Sequence, residues 1–243
     1  MIHVKQGGKR VKKSYLDFLA AFGIGGAHPG GFSLTKEVFS GLDLPIGASI
    51  LEVGCGTGQT AEYLAEAFTC NITAIDNHSI MLEKAAERLK YQNIDVKYGN
   101  AEQLDFSDQT FDFVLAESVI SFTSSVDQTL SEMSRVLKKE GAMVAIEMTA
   151  DNPLSKKQEK EVKELYGFSA ILTEEEWVGK FKRAGFDSVN LLKKNNTLTE
   201  EILVEIHPSE NIREELYDIW DAHHAFMNQP DNPLSYRVFY CRK

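Results

Sequence analysis

From Ala48 to Thr149 the chain alternates between short strand-like runs and stretches whose apolar residues recur every three or four positions. The runs at 48–53, 72–75, 94–98 and 111–117 have the length of strands. The segments that follow the first two, with Leu82, Ala85, Ala86 and Leu89 on one face of the second, read as amphipathic helices. The helix over 125–138 shows the period most plainly, because Val126, Leu130, Met133 and Leu137 fall on one face. Strands alternating with helices in this way imply a parallel sheet covered on both sides, an α/β architecture.

The flanks read differently. A helix is expected over 10–23, with Tyr15, Leu16, Leu19 and Phe22 apolar, before Gly23–Gly31 breaks the chain. Ser33 is a candidate cap for the next helix, which carries Leu34, Val38 and Leu42. After Asp151-Asn152-Pro153 the rhythm changes: a charged helix at 154–166 ends in Tyr166-Gly167-Phe168. Thr173 and Glu176 then form a capping box ahead of Trp177, Phe181 and Ala184, with Gly185 as the stop. A sixth strand is expected at 186–192, a long helix at 209–228 and a last strand at 235–241. This divides the chain into a helical lid at 1–45, a core at 46–150, a cap insertion at 151–172 and a C-terminal part of the core at 173–243 that carries an inserted helix.

Chemistry concentrates at Ile50-Leu51-Glu52-Val53-Gly54-Cys55-Gly56-Thr57-Gly58, where the first strand runs into three alternate glycines and a helix follows at once. Glycines permit positive φ and let backbone amides approach a ligand closely. Asp76, eighteen residues after Gly58, ends the second strand, where an acid is placed to take both hydroxyls of a ribose. Loop and acid together make a site for an adenosine-containing cofactor. Two readings of the loop compete. The dinucleotide fingerprint G-x-G-x-x-G needs a glycine at position 59, where Gln59 stands, and a bulky side chain there hinders helix–strand packing. No Lys-Ser/Thr pair follows, so the loop is not a P-loop.

The segment Glu52–Gly58 resembles motif I of the class I S-adenosylmethionine-dependent methyltransferases, and four further segments fall into register with that family. Asp76-Asn77-His78-Ser79 matches its acidic second motif. Gly99-Asn100-Ala101-Glu102 sits where the family usually has Asp-Ala against the adenine, with Asn100 departing from the pattern. Phe111–Glu117 looks like its fourth strand, and Arg135–Gly141 like its R-x-L-K-x-G-G turn, with Glu140 in place of the first glycine and Gly141 left as helix C-cap. The resemblance covers 48–150 and extends less specifically to 173–194. It implies a Rossmann-like, doubly wound, mostly parallel seven-stranded sheet with an antiparallel C-terminal strand and a helical cap. It also implies S-adenosyl-L-methionine as cofactor, S-adenosyl-L-homocysteine as product, and in-line methyl transfer to a small-molecule acceptor. The residues it assigns to the cofactor are Glu52, Gly54, Cys55, Gly56, Gly58, Asp76, Asn77, Met81, Asn100, Ala101 and Glu117.

His28, in the His-Pro-Gly-Gly element, and Glu117, at the end of the fourth strand, are the candidates to act on the acceptor, since histidine titrates near neutrality. Tyr15, Tyr166, Phe168 and Trp220 are candidate walls of an acceptor pocket, against ordinary packing. A non-catalytic cofactor-binding module and an NAD-dependent oxidoreductase stand as alternatives. Among 243 residues, 26 Lys and Arg against 36 Asp and Glu give a net charge of −10, which argues against nucleic acid or an anionic membrane as partner. No apolar stretch reaches membrane-spanning length, the N-terminus lacks a signal-peptide core, and three widely spaced cysteines point to a reducing cytoplasm rather than a disulfide framework. His223-His224 is the one His or Cys pair to consider, but adjacent residues on a helix point about 100° apart and do not chelate together easily, so no metal is expected. The acceptor's identity and the oligomeric state are left open.

Overall fold

One mixed sheet runs through the computed structural model, which describes residues 14–195 and 205–243. Its strands are β1 (Ala48–Val53), β2 (Cys70–Asp76), β3 (Ile94–Tyr98), β4 (Phe111–Glu117), β5 (Leu137–Ala150), β6 (Ser188–Asn195) and β7 (Leu234–Arg242), in the spatial order β3-β2-β1-β4-β5-β7-β6. β1 pairs in parallel with β2 on one side and β4 on the other, whereas β7 runs antiparallel to both β5 and β6. The strand order therefore reverses between β1 and β4, and a crevice opens beyond their carboxyl ends. This is the doubly wound, mostly parallel sheet that the alternating pattern and the resemblance imply.

Each face of the sheet carries its own core. Leu51, Val114, Met143 and Phe239 pack with α5 (Val126–Val136) and α7 (Glu174–Arg183) on one side. Ile50, Ile72, Leu115 and Val144 pack with α2 (Gly31–Ser40), α3 (Gln59–Ala67) and α4 (Ser79–Leu89) on the other. The strands are buried on both faces, which is why they read as near-continuous apolar runs. Three further helices, α1 (Tyr15–Phe22), α6 (Lys156–Tyr166) and α8 (Glu214–Met227), pack on one another through two satellite clusters that include Phe18, Phe22, Tyr166 and Phe226. Capping boxes begin α1 (Ser14 with Asp17), α6 (Ser155 with Gln158) and α7 (Thr173 with Glu176), each satisfying two amides that a helix start leaves unpaired.

Several boundaries differ from the sequence reading. α2 starts at Gly31 behind Gly30, whose φ is +80°, so Ser33 lies inside the first turn and does not cap it. A side chain at Gly30 would bring a Cβ within 2.6 Å of Leu34 Cδ2. Gly141 is not a helix C-cap: α5 passes directly into β5 at Leu137, and the chain turns within the strand at Glu140, whose φ is +63°. β6 begins at Ser188, two residues late, because Phe186 is buried against Phe181. The late helix starts at Glu214 rather than 209, and positions 10–13 of the first expected helix lie outside the described residues.

Candidate active site

The glycine loop closes β1 onto β2. The amides of Gly54 and Cys55 both donate to Ile75 O, at 2.8 and 2.9 Å, and Gly54, Gly56 and Gly58 have φ of +72°, +54° and +79°. A Cβ on Gly54 would lie 2.4 Å from Val119 Cγ2, so this position needs glycine for close approach as well as for its backbone. A Cβ on Gly56 would meet nothing within 4 Å, because Gly56 faces the open crevice.

One cleft of about 250 Å³ is lined by Glu52, Gly54, Cys55, Gly56, Asp76, Asn77, Met81, Asn100, Ala101, Glu117 and His28, residues drawn from the ends of β1, β2 and β4, from the first turn of α4 and from four loops. Gly58 is the exception. It sits behind the cleft at the start of α3, where a Cβ would come 2.9 Å from Leu89 Cδ1, so it serves the packing of α3 on α4. Met81 both lines the cleft and packs beneath α1.

Asp76 binds the loop rather than capping α4. Its Oδ2 accepts from the Gly56 amide (2.9 Å) and its Oδ1 from the His78 amide (2.8 Å), while burial pushes its carboxyl above the usual range. Each carboxylate oxygen can accept a second hydrogen bond, and Asp76 lines the cleft. Asn100 turns its Oδ1 to the Glu102 amide (2.9 Å), which fixes the loop that presents Ala101. Burial raises the Cys55 thiol well above its ordinary value, which keeps it protonated and unreactive.

Glu52 is the most informative member. It is 4% exposed, and its Oε2 has no hydrogen-bond partner. Burial, then the negative charges of Glu117 and Asp76, push its carboxyl well above the ordinary carboxylate range. Among the described residues the buried side-chain polar atoms without partners are Glu52 Oε2, Thr57 Oγ1, Gln59 Oε1 and His78 Nδ1, and all four residues line this cleft. Buried polar atoms are nearly always paired, so four orphans on one cleft mark a place built for a polar ligand. Four acidic side chains on its wall, Glu52, Asp76, Glu102 and Glu117, select a ligand with positive charge. S-adenosylmethionine has an ammonium, a ribose diol and a sulfonium, so the residues present fit it.

The structure also joins His28 to Glu117, which are 89 positions apart in the chain. His28 Nε2 lies 3.4 Å from Glu117 Oε1, and both side chains are buried. Thr35 Oγ1 donates to Glu117 Oε1 (2.6 Å) and Thr60 Oγ1 to Oε2 (2.8 Å). Thr35 Oγ1 is also 3.0 Å from His28 Nε2, and Pro29 O is 3.2 Å from His28 Nδ1. With the Thr35 proton given to Glu117, both imidazole nitrogens face acceptors. The loop that carries His28 is held from outside: Gly25 N donates to Glu205 O (2.9 Å), Gln59 Nε2 donates to Glu205 Oε2 (2.6 Å), and Arg88 binds Thr57 O (2.9 Å), Glu62 and Glu205.

Sequence reasoning missed Thr35, Thr60, Glu205, Ser118 and Glu147. Ser118 has φ +56° and follows Glu117 directly at the cleft. Glu147, fully buried, accepts from the amides of Val119, Ile120 and Ser121 and from Ser121 Oγ, and so fixes the turn after β4. Burial pushes its carboxyl up to about 7. No periodicity marks these residues, since each acts on a partner far away in sequence; an acid in the middle of the fifth apolar run was the single visible anomaly.

A second cavity of about 510 Å³ adjoins the first, with His28, Ser118 and Phe122 on the walls of both. Tyr15, Tyr166, Phe168 and Trp220, the aromatic residues singled out in the sequence, all line it. Among the described residues, no group of three His, Cys, Asp or Glu is arranged to hold a metal ion, and no helix is long and apolar enough to cross a membrane.

Comparison with known proteins agrees with this geometry. Residues 51–145 match the family model described as "Methyltransferase domain". The uncharacterized methyltransferase YodH of Bacillus subtilis is 34% identical over 94% of this chain and 99% of its own. A demethylmenaquinone methyltransferase of Bacillus licheniformis is 34% identical over 48% of this chain and 52% of its own. The fold is that of Haemonchus contortus phosphoethanolamine N-methyltransferase 2, solved with S-adenosyl-L-methionine (TM-score 0.75, 18% identity, 96% of this chain and 58% of that one). Glycine loop, the acid at the end of β2, sheet order and similarity over nearly the whole of both chains lead to one conclusion: the chain belongs to the class I S-adenosylmethionine-dependent methyltransferases.

Proposed function

We propose that this enzyme methylates a small molecule held in the second cavity, and that His28 and Glu117 act where the two cavities meet. The observation that carries the reading is the shared wall of His28, Ser118 and Phe122, which gives two ligands one point of contact. Relatives named for demethylmenaquinone and phosphoethanolamine methylation support a small acceptor.

When bound, S-adenosylmethionine supplies an electrophilic methyl group on a sulfonium. The protein's part is to hold and align. Glu52 Oε2, unpaired and buried, would hold the ammonium of the methionine moiety, and Asp76 the ribose hydroxyls. Asn100 and Ala101 would meet the adenine. Leu16 and Leu19 of α1 line the cleft and α8 lines the second cavity, and holding an acceptor in line with the S–CH₃ bond contributes up to roughly 7–11 kcal/mol in favourable models. His28 and Glu117, bonded through Thr35, would orient the acceptor or receive its proton. An NAD-dependent reaction has less support, because Gln59 occupies the position of the third glycine and its side chain packs on Gly25.

Incubation with methyl-labelled S-adenosylmethionine and a small-metabolite extract tests the proposal. Labelled product in the small-molecule fraction is expected. Label confined to protein or nucleic acid would sink it, and tight cofactor binding with no product of any kind would favour a non-catalytic module.

A further inference from the structure

We infer that the second cavity selects an uncharged, planar aromatic acceptor and turns away phosphorylated or otherwise strongly charged ones; the inference rests on the methyl-transfer reading above. Among the described residues, its wall has no Lys, Arg, Asp or Glu. Its polar side chains are histidines, tyrosines, Trp220 with its indole N–H, and Ser118. His223 Nδ1 lies 3.0 Å from Tyr166 Oη, and burial, aided by His224, pushes the imidazole down to about 4, so it is neutral at physiological pH. The chamber therefore holds no Lys or Arg to pair with an anion, and His28 on its wall already lies 3.4 Å from Glu117 Oε1. A phosphate is recognised by guanidinium, ammonium or clustered amides, and an ion moved into an apolar site without them loses several kcal/mol of hydration. Gly30 and Gly31, at the start of α2, reach the wall, but the Gly31 amide is already given to His28 O (2.9 Å).

The rings fix the shape as well as the polarity. Tyr15 lies parallel to Phe122 (6.3 Å, 2°) and Tyr166 parallel to Phe168 (5.2 Å, 14°), while Phe122 meets Phe168 edge-on at 4.7 Å. Tyr166 and Phe168 are buried and back the wall, while Tyr15, Phe122 and Trp220 are partly exposed and can accept another flat ring by offset stacking, worth about 0.5–1.5 kcal/mol per pair beyond burial. A volume of about 510 Å³ lies in the usual range for a small-molecule site, about 300–1,000 Å³.

The test uses the full chain saturated with S-adenosylhomocysteine and two matched probes, 2-naphthol and 2-naphthyl phosphate, with phosphoethanolamine as the small charged control. Calorimetric titration is expected to show 2-naphthol binding at least about tenfold tighter than its phosphate, a gap of about 1.4 kcal/mol, and no heat from phosphoethanolamine. Two measurements locate the probe. Trp220 lines the chamber whereas Trp177 is buried in the core, so partial quenching of tryptophan emission by 2-naphthol is expected. Met227→Trp, which fills the chamber from the end of α8, is expected to weaken 2-naphthol at least tenfold with S-adenosylhomocysteine affinity unchanged. Equal or tighter binding of the phosphate, or 2-naphthol binding without quenching, overturns the inference while leaving methyl transfer intact. Failure of S-adenosylhomocysteine itself to bind takes down the methyl-transfer reading and this inference with it.

Discussion

Replacing Glu52 by glutamine separates what the fold wants from what the cofactor needs. The wild-type carboxyl is buried, faces two other carboxylates and leaves one oxygen unpaired. Its folded-state pKa lies above the ordinary value of 4.5, so protonation favours the native state. The stability it contributes is complete below pH 4.5 and is lost as pH rises through the folded value. Each pH unit over which Glu52 stays protonated in the fold but ionised in the unfolded chain costs about 1.4 kcal/mol. Glutamine is neutral at every pH, so Glu52→Gln is expected to match wild type near pH 4.5 and to be more stable at pH 8. The same change removes the charge that meets the ammonium of the ligand. A hydrogen bond to a charged group is worth about 1.5–3 kcal/mol, so affinity for S-adenosylhomocysteine is expected to fall roughly 10- to 150-fold. Below the folded-state value of the wild type, binding must also expel the Glu52 proton, so affinity rises with pH there, and the variant flattens that rise. Thermal unfolding of the ligand-free proteins from pH 4.5 to 8, with calorimetric titration of S-adenosylhomocysteine over the same range, reads all three effects. A variant that is less stable at pH 8, or that binds as tightly as wild type, refutes the reasoning.

Other substitutions reach neighbouring parts of the argument. Glu147→Gln is expected to remove a fall in stability between pH 4.5 and 7 of about 3 kcal/mol, since a carboxyl held up to about 7 favours the fold only while protonated; an unchanged pH profile in urea melts would contradict this. Glu140→Gly relieves a left-handed residue where the family has glycine, with a net gain of up to about 1 kcal/mol in chemical denaturation, and a loss would mean that the strain is absent. His28→Ala is expected to slow turnover at least about tenfold with cofactor affinity little changed, and an unaltered rate would leave the imidazole a structural tie between Thr35 and the Pro29 carbonyl.

The core of the fold was legible because its signals are local and repeated. Strands buried on both faces must be apolar along their whole length, and crossover helices must carry one apolar stripe, so 48–149 announced itself. The loop at 54–58 and Asp76 were legible because positive φ and close approach restrict residue choice. The cap was only half legible. α8 read as cap or edge packing, and its Trp220 packs on Phe18 and Phe22 of α1. The turn chemistry failed in two places: Glu140 holds a positive φ without being glycine, and Gly30 rather than Ser33 stands at the N-cap of α2.

The environment of the site was the least legible part. His28 and Glu117 were each visible, one by its loop and the other by its strand end, but nothing in the sequence joined them. Their pairing depends on Thr35 and Thr60, two ordinary helix residues that burial turns into hydrogen-bond donors. Glu205 contacts Gln59 across 146 positions, a relation that only the packing of the 205–209 segment on α1 and α3 creates. Tyr15, Tyr166, Phe168 and Trp220 illustrate the same limit, since aromatic spacing cannot distinguish a core from a chamber wall.

Thermal unfolding with S-adenosylhomocysteine and, separately, with NAD tests most directly whether the cleft between Glu52 and Asp76 is a methyl-donor site. At about 100 times its dissociation constant, S-adenosylhomocysteine is expected to stabilise the fold by roughly 2.7 kcal/mol, with NAD at the same concentration leaving the transition in place. A shift with NAD and none with S-adenosylhomocysteine would contradict it.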